Sequence, residues 1–215
     1  IDAAARAAAP PGVEVVTTRA AGAPETIEGP VDGARAVPAM LDRIAEAEGA
    51  DAHLVACFDD TGLDAARALA GVPVIGIGEA AYHAAVMLGG RFSVVTSVAE
   101  ALPVLRANIA RYGFVAHCAG LRAAGVPVLE IDAGGAHALE AIRRETRAAI
   151  EADAAQAVVL GCAGMADLAS RLVDEVGLPV VEGISAGVGF AAALARLAPP
   201  GAAPRGRAGA ARPGA

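Results

Sequence analysis

The chain runs to 215 residues with a formal net charge of -7, 55% hydrophobic residues (much of that alanine) and 3% aromatics, enough for one large domain or two small ones with a real core. The acidic balance, the absence of Trp and the lack of a basic groove pattern argue against nucleic acid as a partner. No uncharged apolar run approaches the ~18 residues that cross a bilayer, and the opening IDAAARAAAPPG carries Asp2 and Arg6 where a signal peptide would have an apolar core, so a soluble, cytoplasmic protein with no membrane partner is expected.

In chain order, the first residues read as the last turns of a helix. A strand over Val13–Thr18 and a helix over Val37–Glu48 follow. Then come strand His53–Cys57, helix Leu63–Leu69, strand Pro73–Ile77, helix Glu79–Leu88, strand Phe92–Thr96 and helix Val98–Tyr112. Strand His117–Ala123, helix His137–Ala152, strand Ala157–Cys162, helix Met165–Val176, strand Pro179–Glu182 and helix Ile184–Leu197 complete the pattern. Short apolar runs bounded by Gly, Pro or Asp are the mark of strands covered on both faces. Their alternation with alanine-rich helices predicts an α/β fold with parallel sheets. The stretch 198–215 is rich in Pro, Gly, Ala and Arg without periodicity, which predicts a disordered tail.

The rhythm repeats. HLVACFDDTGLDAARALAGVPVIGIGEAA lies over VVLGCAGMADLASRLVDEVGLPVVEGISA, with Cys57 on Cys162 at an offset of 105 and Pro73 on Pro179 at an offset of 106. The same shift carries Val13–Thr18 onto His117–Ala123, so the chain reads as two copies of one βα unit. It also places the counterpart of strand Phe92–Thr96 ahead of Ile1, which predicts that a first strand and its loop are missing from this sequence. Two similar lobes related by a pseudo-two-fold axis are expected, each a parallel sheet flanked by helices. Residues 1–90 with 183–197 form the first lobe and 91–182 the second.

Ligands of open α/β sheets bind beyond the carboxyl ends of the strands, and Cys57 and Cys162 both fall there. Two thiols facing one cleft suit proton transfer. A helix N-terminus lowers a thiol's pKa, so one sulfur can act as thiolate base while the other acts as thiol acid. A carbon acid between them loses a proton to one face and regains one on the other. Backbone N–H groups of Phe58–Asp60 and Ala163–Met165 would face the enolate's charge. The three cysteines form neither a disulfide framework nor a zinc pattern, and no metal or organic cofactor is expected. Cys118, inside a strand, reads as a core residue. His53, His83 and His137 lack metal spacing. Asp59 and Asp60 suit an N-cap of the following helix, and Glu79 opens the next.

The stretches ACFDDTGLDAAR, VPVIGIGEAAYHAA, RFSVVTS and VVLGCAGMADLA…GLPVVEG resemble the hydantoin racemase family of the aspartate/glutamate racemase superfamily, from about Thr26 to about Leu197. The resemblance implies two α/β lobes with the active site between them. It implies cofactor-independent racemisation of 5-monosubstituted hydantoins, or of allantoin in a close branch, through two cysteines matching Cys57 and Cys162. Its substrate contacts fall on Ile27, Phe58, Asp59, Thr96, Ala163 and Gly164, and its members are commonly homo-oligomers. It also implies an opening strand that ends in an Asn-Pro-Asn-type loop, the segment the repeat predicts to be missing. Three other readings stay open. GIGEAA, Gly76 to Ala81, fits a dinucleotide-binding G-x-G-x-x-A turn, although GVGFAA at Gly187 matches the same pattern inside a helix. A non-catalytic two-lobed binder of small molecules would tolerate loss of both thiols. Another enzyme of the superfamily, such as a decarboxylase with a single cysteine, would share the fold.

Overall fold

The computed structural model describes residues 1–198, so all but the first residue of the expected tail lies outside the described residues. Nine helices and six strands alternate along them. α1 (Asp2–Ala8) and α2 (Pro30–Glu46) lead to β1 (His53–Val55), α3 (Leu63–Leu69), β2 (Val74–Gly76) and α4 (Ile77–Gly89). β3 (Phe92–Thr96), α5 (Leu102–Arg111), β4 (Cys118–Ala123), α6 (Val128–Asp132) and α7 (Ala136–Glu151) follow. β5 (Ala157–Leu160), α8 (Ala169–Val176), β6 (Val180–Glu182) and α9 (Gly183–Leu197) complete the chain. A 3-10 turn precedes α5 (Ala99–Ala101) and another precedes α8 (Ala163–Leu168).

The strands form two parallel sheets, β1-β2 and β4-β3-β5-β6, as α/β crossovers require. The repeat holds in register. His53, Leu54 and Val55 pair with Val74, Ile75 and Gly76, while Val158, Val159 and Leu160 pair with Val180, Val181 and Glu182. Adding 105 to one strand and 106 to the other turns the first ladder into the second. β3 and β5 are buried along their whole length, including Val94, Val95, Val159 and Leu160. Each fully buried large aliphatic side chain contributes roughly 1.5–3 kcal/mol. Alanine contributes less, so close helix approach compensates: a Cβ at Gly183 would strike the Ile77 carbonyl where α4 meets α9.

Two expectations fail. Val13–Thr18 is irregular, because among the described residues no strand lies alongside to accept its ladder bonds; Val15 merely packs on the core. α2 starts at Pro30, seven residues before the expected Val37. Pro30 occupies the first turn, where its missing N–H costs nothing, and Pro38 is tolerated inside. α6 had no sequence signal: it is five residues long and follows Pro127.

Candidate active site

Both thiols sit on the same backbone device. Cys57 lies two residues beyond β1 and Cys162 two beyond β5. The Cys57 carbonyl accepts from Asp60 N at 3.0 Å, and the Cys162 carbonyl accepts from Met165 N at 3.0 Å. Inside each turn the backbone two residues on, at Asp59 or Gly164, favours the ionised sulfur against burial. Each sulfur also has one hydroxyl neighbour. Thr61 Oγ1 lies 3.3 Å from Cys57 Sγ, and Ser97, just past β3, bonds Cys162. Both cysteines are half-buried. Thus the N–H groups of Asp60 and Met165, expected to face an enolate, close the turns instead.

Neither thiol has the lowered pKa expected of a helix N-terminus. α3 starts only at Leu63, after left-handed residues Asp60 (φ 50) and Gly62 (φ 71), so its first turn does not point at Cys57. Burial pushes the Cys57 thiol up to about 12, helped by the charges of Asp59 and Asp60. Burial pushes Cys162 up to about 11, helped by Asp132 and Asp59. The charge of Asp59 disfavours ionisation of both sulfurs.

Asp60 does not cap α3. Its carboxylate crosses to the start of α4, where Oδ1 accepts from Gly78 N at 2.9 Å and Oδ2 from Glu79 N at 2.8 Å. Tyr112 OH donates to Oδ2 at 2.8 Å. A Cβ on Gly76 would collide with this carboxylate, so the glycines of GIGEAA make room for Asp60. The place a pyrophosphate would take is filled by a side chain of the protein itself, and the dinucleotide reading falls. GVGFAA lies within α9. Burial nonetheless holds both Asp59 and Asp60 near 6.

The other expected contacts take distinct places. Phe58 is core, edge-on to Tyr82 with centroids 5.6 Å apart, so its side chain is not available to a ligand. Thr96 is buried and its hydroxyl donates to the Gly161 carbonyl at 2.8 Å, holding the loop before Cys162. Ala163 and Gly164 open the turn after Cys162, and Ile27 lies half-buried in the loop before α2. Asn108 Nδ2 donates to the Asp59 carbonyl at 2.7 Å. A cleft of about 320 Å³ opens beside this turn, lined by Asp59, Thr61, Asn108 and residues of α2. The sequence reading missed Thr61, Ser97 and Asn108; the hydroxyl four residues after Cys57 was the one visible signal. Cys118 begins β4 with its sulfur toward the Gly120 carbonyl. His53 is pushed toward its neutral form by burial, His83 stacks edge-on to Phe114, and His137 pairs with Glu130 at the surface. Among the described residues, no three His, Cys, Asp or Glu side chains are grouped to hold a metal ion, and no helix is long and apolar enough to cross a membrane.

Comparison with known proteins places the chain in a family. The Asp/Glu/Hydantoin racemase family matches residues 1–191. A hydantoin racemase from Rhizobium meliloti is 43% identical over 173 residues, 80% of this chain and 72% of the relative. Another from Pseudomonas sp. (strain NS671) is 37% identical over 199 residues, 92% of this chain and 80% of the relative. The solved structure of an allantoin racemase from Klebsiella pneumoniae superposes with a TM-score of 0.89 at 43% identity, covering 91% of this chain and 81% of that one.

Proposed function

The chain belongs to the Asp/Glu/Hydantoin racemase family of isomerases, and on that premise we propose that it inverts the ring stereocentre of 5-monosubstituted hydantoins by proton transfer between Cys57 and Cys162. One observation carries the reading. The two thiols occupy register-equivalent turns, each two residues past its strand and each closed by the same backbone bond.

One thiol first gives its proton to solvent, and the resulting thiolate takes the proton from the ring carbon. The electron pair moves onto the adjacent carbonyl oxygen, giving an enolate. The thiol of the other cysteine returns a proton to the opposite face and becomes the thiolate. The two cysteines have then exchanged roles, and the solvent restores the starting state. We assign the N–H groups of Phe58 and Ala163, each directly after a thiol, to the ring carbonyls, where one such donor is typically worth about 2.7–4 kcal/mol in the transition state. Asp59, Gly164, Ile27 and Thr96 complete the binding site in this reading. The carboxylates about the sulfurs suit a neutral ring whose N–H groups donate to Asp59, and disfavour a substrate carrying its own carboxylate. The reading needs no metal or organic cofactor. It divides the chain into lobes 1–90 with 183–197 and 91–182, and takes the enzyme as a cytoplasmic homo-oligomer.

The 43% identity to an allantoin racemase structure favours a second substrate, allantoin, a hydantoin with a ureido substituent. Measuring kcat/KM for single enantiomers of both decides. Faster inversion of alkyl or aryl hydantoins supports the first reading; a clear preference for allantoin replaces it with the second.

A further inference from the structure

α6 is a short helix that cannot cap itself. Its N-cap is Pro127, with no side-chain hydrogen bond, and Val128 carries one of the N–H groups that a first helical turn leaves without a partner. The acceptor comes from 100 residues earlier: Glu28 Oε1 lies 2.8 Å from Val128 N. Glu28 is itself held at the head of α2, where its N–H donates to Asp32 Oδ2 at 3.3 Å. One carboxylate therefore ties the first half of the chain to the second.

Each end of this tie leads to a thiol. α6 packs on the 3-10 turn that follows Cys162. A Cβ on Gly164 would collide with Asp132, the last residue of α6, and Gly164 lies inside the turn that the Met165 N–H closes on the Cys162 carbonyl. Toward the other thiol, α2 meets the Cys57 turn at Gly33, where a Cβ would stand 3.6 Å from Thr61 Oγ1. That hydroxyl is the partner of Cys57 Sγ. α6 positions Cys162, α2 positions Cys57, and Glu28 joins α6 to α2.

We propose that Glu28 is the positioning residue that sets the gap between the two thiols, a role that rests on the racemase reading for its kinetic consequence alone. Two-base inversion depends on this gap. A misplacement of about 1 Å in a reacting geometry can cost on the order of a hundredfold in rate, while binding of a small ring by nearby backbone groups changes less.

The test uses Glu28→Ala and Glu28→Gln in the full chain, with two readouts. The first is kcat and KM for inversion of one hydantoin enantiomer. The second is the iodoacetamide alkylation rate of each cysteine, followed by peptide mass spectrometry with Cys118 as internal reference. Glu28→Ala is expected to lower kcat by about tenfold or more with a much smaller change in KM, and to change the Cys162-to-Cys118 alkylation ratio. Glu28→Gln keeps an acceptor for Val128 N–H and is expected to restore both. Wild-type kcat and alkylation in Glu28→Ala would overturn the proposal, and so would a glutamine variant as impaired as the alanine one. If the wild-type chain inverts no ring substrate, the racemase reading fails and the alkylation ratios alone judge Glu28: a shift in alanine with rescue by glutamine upholds the tie, and no shift overturns it.

Discussion

Cys57 and Cys162 stand in two copies of one frame, and the copies part company three residues after the thiol. The ladders match residue for residue, the turns close with the same bond, and α4 and α9 follow their strands without a gap. Both helices need their first N–H groups satisfied. In the second copy Glu182 does this from the N-cap, accepting from Ile184 N and Ser185 N at 2.7 Å. In the first copy that position is Gly76, and Asp60 reaches across instead; its counterpart in the second copy is the buried Met165. The frame that delivers the sulfurs is duplicated, while the charges around them are not. Asp59 and Asp60 act on Cys57 and Asp132 and Asp59 on Cys162, and burial raises both thiols.

The largest test treats the copies as equals. Cys57→Ser and Cys162→Ser should each lower inversion by roughly 10²–10⁴-fold, the range of a lost acid–base group, with unchanged circular dichroism. A deep loss in only one would mean that the copies do not share the chemistry. Next, Asp60→Ala should cost about 2–4 kcal/mol in urea unfolding, because one buried and two half-buried donors lose their shared acceptor. Glu182→Ala should cost about 1–2 kcal/mol as an ordinary cap. Copying the second solution into the first, with Asp60→Met and Gly76→Glu together, should recover part of what either change alone loses. Strict additivity would break the equivalence of the two caps.

pH sharpens the comparison further. Burial raises Asp59 and Asp60 from the ordinary 3.8 to about 6. The folded chain therefore binds their protons more tightly than the unfolded chain between about pH 4 and 6, and stability falls as pH rises through that window. Asp153 has the opposite sign: Arg122 holds it below its ordinary value, so its contribution is lost as pH falls below about 4. Unfolding midpoints from pH 3 to 7 check both, and Asp59→Asn should flatten the upper window. The smallest effect is chemical. At pH 8 both Cys57 and Cys162 should alkylate more slowly than a free cysteine. Asp59→Asn should speed both more than Cys118.

Where pattern and local chemistry agree, the sequence could be read closely: β3 and α3 have the bounds that their residues predict, and the repeat located both thiols. What escaped depends on contacts far along the chain. Nothing near Asp60 says that its partner is α4, 18 residues on, because Asp after a strand looks the same whether it caps the next helix or the one after. The raised thiol pKa values follow from burial among carboxylates, while sequence offered only the helix N-terminus, which would lower them. Val13–Thr18 has strand composition, but a strand exists only beside another, and composition does not report neighbours.

The most direct measurement follows a single enantiomer of a 5-monosubstituted hydantoin in D2O, with the wild-type chain, Cys57→Ser and Cys162→Ser against a protein-free control. Optical rotation and the signal of the ring carbon's proton are read together. The account predicts that wild type brings rotation to zero with deuterium entering at that carbon, and that both variants are slower by at least about a hundredfold. Inversion at the wild-type rate in either variant would contradict proton transfer between Cys57 and Cys162.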